Sequence, residues 1–166
     1  MILVGIGSNL AAPGYRSPQD TALVALAQLP AIGAAVIAVS PWYLSEPVPA
    51  SDQPWFVNAV ASVATDLCAP ALLAVLQAVE TRFGRVRSER NAARVVDLDL
   101  LDYRGQVTET TSLILPHPRL VADAADPPEG IFNRMQYGQN LGWGEIGGDL
   151  DDRVQIPGLV RDRHGF

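Results

Sequence analysis

The stretch Val96-Asp97-Leu98-Asp99-Leu100 is the strongest constraint on how this chain can fold. Carboxylates alternate there with large apolar residues. Only an element with a side-chain period of two buries Val96, Leu98 and Leu100 while keeping both acids on the opposite face. The stretch therefore predicts a strand over 95–101, in a sheet with one covered and one open face. Two carboxylates one strand repeat apart repel each other, and a cation relieves them. Their hard oxygens suit Mg²⁺. An edge strand with solvated aspartates is the plainer reading.

Just upstream, Arg82, Arg85, Arg87, Arg90 and Arg94 crowd into thirteen residues of a chain whose net charge is −6. Basic residues favour helix C-termini, so a solvated loop after a helix accounts for some of them. A loop this dense, next to two metal-type acids, points instead to phosphate. The spacing is not that of a P-loop. All twelve basic residues are arginine, which rules out a Walker or Schiff-base lysine and leaves guanidinium forks for phosphate contacts. The acidic balance argues against nucleic-acid binding. The single cysteine, Cys68, excludes an internal disulfide and is expected to be a small apolar packer. With no signal-like start and no long apolar run, a cytoplasmic protein without a membrane segment is expected.

The remaining elements follow from local patterning. Residues 2–6 form an apolar run ended by Gly7-Ser8-Asn9, a buried strand and a turn. Residues 18–29 read as a helix with Ser17 as N-cap and Pro18 at its first position. Residues 34–43 read as a strand, in which Pro41 must sit at an edge or bulge. Residues 44–54 are a loop with three prolines, which limits the entropy lost when a binding loop orders. From Trp55 to Thr65, Phe56, Asn58, Val60 and Ser62 share one strand face, and Val57, Ala59, Ala61 and Val63 share the other. Residues 70–83 form a helix with Leu72, Leu73, Leu76, Val79 and Phe83 on one side, and Gln77, Glu80 and Arg82 facing away or at its edge. A short edge strand is expected near 106–110. Trp42 and Trp55 are read as core.

In order, these elements make the α+β, ferredoxin-like pattern βαββαβ: a four-stranded antiparallel sheet with both helices on one face. The open face would then carry Phe56, Asn58, Asp97 and Asp99. Asn58 has no core role there, and its amide offers both a donor and an acceptor to a flat heterocycle. His117, stiffened between Pro116 and Pro118, is a second candidate ligand residue. Residues 120–166 hold eight of the fourteen glycines and show weak periodicity.

Seven motifs stand in a single order: Gly7-Ser8-Asn9-Leu10; Ser40-x-x-Tyr43-x-Ser45-Glu46-Pro47-Val48; Asp52-Gln53-Pro54-x-Phe56-x-Asn58; Leu72-Leu73-x-x-Leu76-Gln77-x-x-Glu80; Gly84-Arg85-x-Arg87; Arg94-x-x-Asp97-Leu98-Asp99; and Pro116-His117-Pro118-Arg119. In that order the chain, from residue 1 to about residue 120, resembles the 6-hydroxymethyl-7,8-dihydropterin pyrophosphokinases of folate biosynthesis. The resemblance implies transfer of diphosphate from ATP to the pterin hydroxymethyl group, with release of AMP. It implies that Asp97 and Asp99 bind two Mg²⁺ ions and that Arg85 and Arg94 clamp phosphates. By the same resemblance, Gln77, Glu80, Arg87 and His117 are on the ATP side, and Ser45, Glu46, Val48, Phe56 and Asn58 line the pterin pocket. A monomer is expected, with residues 1–120 as the catalytic domain and 121–166 as its divergent tail. Past Leu120 the family continues with an arginine, a small residue and a phenylalanine, where this chain has Asp123, Ala124 and Ala125; Phe132 and Arg134 are the nearest substitutes. Two other readings remain: a nucleotide-binding relative without turnover, and a ferredoxin-like binding module.

Overall fold

The computed structural model describes residues 1–47, 49–85 and 93–118. Val48, Arg87, Arg90, Arg119, Phe132, Arg134 and the tail 121–166 lie outside the described residues.

The described chain is an α+β structure in which an antiparallel sheet packs against two helices. In chain order its strands are β1 (Ile2–Ser8), β2 (Ala34–Val39), β3 (Tyr43–Ser45), β4 (Phe56–Thr65), β5 (Asp97–Tyr103), β6 (Thr108–Glu109) and β7 (Ile114–Leu115). The helices are α1 (Pro18–Gln28) and α2 (Ala69–Arg82), and a 3-10 turn (Pro30–Ile32) follows α1. The main sheet runs β2-β4-β1-β5, with β3 also paired to β4, and every pairing is antiparallel. A separate ribbon joins β6 to β7.

Local chemistry explains most boundaries. Ser17 caps α1 by accepting the Asp20 N–H at 3.0 Å, and Pro18 takes the first helical position. The strand expected over 34–43 is two strands, so the main sheet has five members rather than four. Pro41 has no N–H for the ladder, and the chain leaves β4 between Val39 and Tyr43. Ser40 bridges the gap: its N–H donates to the Val60 carbonyl at 2.8 Å, and its Oγ accepts the Val60 N–H at 2.9 Å.

The core lies on one side of the sheet. Ile2, Val4 and Ile6 of β1, Ala59, Ala61 and Val63 of β4, and Leu98 and Leu100 of β5 pack with Ala22, Ala25 and Leu26 of α1 and Leu72, Leu76 and Val79 of α2. The alternation expected for 56–63 holds residue by residue. Two aromatic and thiol expectations do not. Trp55 is 53% exposed, because it precedes β4 rather than belonging to its buried face. Cys68 is exposed at the N-cap of α2, outside the apolar stripe of that helix.

The opposite face of the sheet carries a cross-strand row. Asn58 is opposite Gly7, and Gly7 is opposite Asp97. Directly opposed residues share a face, so Asn58, Gly7 and Asp97 stand in line. One repeat along, Val60, Gly5 and Asp99 form a second line. Past Asp99 the register slips: Val4 pairs with Leu100 and Leu3 with Asp102, which leaves Leu101 as a bulge residue. Its side chain lies over Gly5, where an added Cβ would meet Leu101 Cδ1 at 3.3 Å.

Candidate active site

Asp97 begins β5 and is 8% exposed. A buried carboxylate needs cations or hydrogen bonds to stay charged. Two arginines supply them. Arg85 Nη1 is 2.6 Å from Asp97 Oδ1, an ion pair without hydrogen-bond geometry, and Arg94 Nη1 donates to Asp97 Oδ2. Arg85 also pairs with Glu80, so a single guanidinium bridges two acids.

Glu80 departs from its expected place. The sequence pattern places it on the outer or edge side of α2, yet it is 2% exposed. It stands one residue past Val79 and four past Leu76, so the helical period carries it onto the buried stripe. Its Oε1 accepts the Leu98 N–H at 2.8 Å in addition to the Arg85 contact. Burial pushes the Glu80 carboxyl up to about 7; the Leu98 N–H and the Arg85 cation pull it back down, and the neighbouring Asp97 charge raises it. Glu80 therefore ties α2 to β5 just behind Asp97.

A cleft of about 340 Å³ opens beside this network, lined by Leu73, Gln77 and Glu80 of α2, by Leu98 and Asp99 of β5, and by Arg85, Arg94 and His117. That volume falls within the usual range for small-molecule sites. His117 reaches it because its N–H is fixed to the Leu101 carbonyl at 2.8 Å, at the edge of β5. The structure thus brings together Arg85, Arg94, Asp97, Asp99, Gln77, Glu80 and His117 from the expected set.

The other expected group gathers across β3 and β4. Ser45 pairs with Phe56 across the ladder, and Tyr43 with Asn58. Asn58 Nδ2 donates to Ser45 Oγ at 2.9 Å and to the Phe56 carbonyl at 3.3 Å. These bonds hold the amide plane so that Oδ1 stands over Gly7, 3.1 Å from where a Cβ would be. Glu46 is exposed at the end of this wall. Asn58 and Asp97 are two strand spacings apart, about 10 Å. The residue between them has no side chain.

The residues also suit a divalent cation. No group of three or more His, Cys, Asp or Glu side chains able to hold a metal is found among the described residues. Asp97 and Asp99 supply two carboxylates on one strand face. Mg²⁺ commonly uses one or two carboxylates and takes its other ligands from substrate phosphates and water. Asp97 Oδ1 is buried, accepts no hydrogen bond and has the Arg85 guanidinium beside it, so its lone pairs already face positive charge, as they would on a bound metal.

Sequence reasoning gave Ser8 and Asn9 no site role, reading them as a turn and as part of the first family motif. Both are buried. Ser8 Oγ donates to the Val95 carbonyl at 2.6 Å, and Asn9 reaches Arg94 on one side and the 53–54 loop on the other. The available signal was that two polar residues directly continue a buried strand, where their side chains must find partners.

Comparison with known proteins shows the family. Residues 3–124 match a family model described as 7,8-dihydro-6-hydroxymethylpterin-pyrophosphokinase. The 2-amino-4-hydroxy-6-hydroxymethyldihydropteridine pyrophosphokinase of Pseudomonas aeruginosa is 42% identical over 123 residues, covering 74% of each chain. Those of Haemophilus influenzae and Methylorubrum extorquens are 38% and 37% identical, covering 69% and 74% of this chain and equal shares of their own. The chain belongs to the 7,8-dihydro-6-hydroxymethylpterin pyrophosphokinase family.

Proposed function

We propose that residues 1–120 form the catalytic domain of a pterin pyrophosphokinase, in which the cleft beside β5 takes ATP and the β3–β4 wall takes 6-hydroxymethyl-7,8-dihydropterin. Family membership makes the protein a pyrophosphokinase of folate biosynthesis, with ATP as co-substrate. The observation that carries the site assignment is the row Asn58–Gly7–Asp97. A flat heterocycle reading Asn58 and lying over Gly7 would direct a substituent toward Asp97. The strand order β2-β4-β1-β5, with both helices packed on one face, supports the ferredoxin-like reading of the fold.

On the pterin side, Phe56 offers an aromatic surface and Asn58 an acceptor held by Ser45. Glu46 and Val48 complete that wall by family likeness. On the nucleotide side, Gln77 and His117 both line the cleft. Arg87 joins them by likeness alone. Arg85 and Arg94 are the phosphate clamp. Both sit on Asp97 in this structure, and the triphosphate competes with Asp97 for them. Glu80 keeps Arg85 aimed into the cleft.

The reaction is an in-line displacement. The pterin hydroxyl oxygen bonds to the β-phosphorus and loses its proton. The bond from that phosphorus to the α–β bridging oxygen breaks, and AMP leaves with the oxygen. Positioning and charge stabilisation carry such transfers, so arginines held in place beside the cleft are effective. Two Mg²⁺ ions held by Asp97 and Asp99 would supply Lewis-acid polarisation and charge neutralisation. Among the described residues no helix is long and apolar enough to cross a membrane. We assign the protein to the cytoplasm as a monomer.

The test is direct. Purified protein is mixed with ATP, Mg²⁺ and 6-hydroxymethyl-7,8-dihydropterin, and AMP and pterin diphosphate are followed by chromatography. Equimolar formation of the two is expected, dependent on both Mg²⁺ and pterin. Tight binding of an ATP analogue without AMP release would instead establish a nucleotide-binding relative that does not turn over.

A further inference from the structure

Asn9 touches neither the ATP cleft nor the β3–β4 wall, yet it is bonded to the chain leading into each. It is 1% exposed in the turn after β1. On one side its backbone N–H donates to the Arg94 carbonyl at 3.0 Å, while its Oδ1 accepts the Arg94 N–H at 2.6 Å. On the other side its Nδ2 donates to the Pro54 carbonyl at 3.1 Å and to Gln53 Oε1 at 3.3 Å. Pro54 stands two residues before Phe56, and Arg94 three residues before Asp97.

Neither attachment point lies in a strand: β4 begins at Phe56 and β5 at Asp97. The sheet ladder therefore does not set their separation. The Asn9 amide bonds to both, while the Leu10 N–H also holds the Arg94 carbonyl at 3.1 Å. The chemistry fits asparagine closely. An amide has an acceptor oxygen and a two-hydrogen donor on one short rigid plane. Aspartate keeps the acceptor and loses the donor. Glutamine is a methylene too long for a closed turn. Next to it, Ser8 fixes Val95 through its own hydroxyl, so the Arg94–Val95 segment is held from β1 at two successive positions.

We infer that Asn9 is a positioning residue that couples the pterin wall to the phosphate arginine, so that each substrate site senses occupancy of the other. Phosphate that draws Arg94 into one place also orders the Asn9 amide, and the amide then orders Pro54 beside the pterin wall. Coupling of this kind is reciprocal: pterin tightens nucleotide binding by the same factor. The inference rests on the assignment of the two substrate sides given above.

Titration calorimetry on the full chain tests it. The Kd of 6-hydroxymethylpterin is measured alone and with saturating Mg²⁺ and α,β-methylene-ATP, which cannot transfer its diphosphate. In the wild type the nucleotide should tighten pterin binding by roughly tenfold or more. Asn9→Ala should bring that ratio close to one. Asn9→Asp, which keeps the bond to Arg94 and loses the donor to Pro54, should do the same, with the affinity for the analogue alone nearly unchanged. If Asn9→Ala does not fold, Asn9→Asp carries the test. Leu72→Ala, a core substitution, should lower the melting temperature and keep the wild-type ratio.

A wild-type ratio in both Asn9 variants overturns the inference, as does a ratio near one in the wild type. Loss of the ratio in Leu72→Ala as well also overturns it, by assigning the effect to general loosening. Failure of the wild-type chain to bind pterin under either condition overturns both the inference and the site assignment beneath it.

Discussion

The two sides of this molecule proposed for its substrates are built on different principles. The wall formed by β3 and β4 is uncharged within its strands, partly exposed, and held by ordinary strand registry. Ser45, Phe56 and Asn58 fall into place because opposed residues of a ladder share a face. The side formed by α2 and β5 is charged, largely buried, and held by a chain of ion pairs from Glu80 through Arg85 and Asp97 to Arg94. A flat, neutral heterocycle needs shape and a few directed hydrogen bonds. A triphosphate needs positive charge that is already ordered before it arrives. The difference shows in tolerance: the first side can lose one contact and keep its shape, whereas the second is a closed set of charges in which each loss leaves a partner exposed to imbalance.

The most severe way to break that contrast is at Asp97. Asp97→Ala removes the acid shared by both arginines and one of two metal-type ligands. AMP release under saturating substrates is expected to fall by about a thousandfold or more, the scale of losing a transition-state charge stabiliser. Circular dichroism should show the fold retained, since the core faces the other side of the sheet. Turnover within tenfold of the wild type would show that the charged side does not carry the chemistry. A milder break is available on the neutral side. Asn58→Ala removes a directed acceptor without disturbing the ladder. It should cost about 1–3 kcal/mol of pterin binding, roughly five- to 150-fold in the pterin KM. The KM for ATP and kcat should move far less. An equal rise in both KM values would mean that the two sides are not separable in this way.

The same contrast explains what could be read from sequence. The neutral side was legible because it depends on period two. Phe56 and Asn58 share a face with no knowledge of any partner, and the strand containing Asp97 and Asp99 could be placed by the same rule. The charged side was legible in its composition but not in its connections. Nothing local tells Glu80 that Leu98 and Arg85 will satisfy it, so its charge argues for the edge even though the helical period sets it beside Leu76 and Val79. Those bonds close over 18 and five residues of separation. Asn9 lies 85 residues from Arg94 and 44 from Gln53, and no window-based pattern spans such distances. Pro41 was read as an edge or bulge residue, yet the break it makes between β2 and β3 depends on Ser40 filling the gap against β4. Pairings of this sort are decided by tertiary contacts rather than by propensity.

The smallest expected effect sharpens the contrast most finely, because it separates burial from charge at one residue. The Glu80 carboxyl is pushed up to about 7 from an ordinary value near 4.5. The folded state then binds a proton more readily than the unfolded state between those values. Stability associated with this group is present in full below about pH 4.5 and is lost as pH rises through about 7. Most other carboxylates that gain partners on folding act in the opposite sense, so the wild-type curve alone does not isolate it. Glu80→Gln does. The amide keeps an acceptor for the Leu98 N–H and does not titrate. The melting temperature of Glu80→Gln relative to wild type should therefore rise between pH 5 and pH 8. A difference that stays flat, or that falls with pH, would mean that the Arg85 pair outweighs burial and that Glu80 is a stabilising anion at neutral pH. In that case the charged side would be held by Coulomb attraction throughout. The expected rise would instead make Glu80 an acid kept at the margin of ionisation, tolerated because its position aims Arg85.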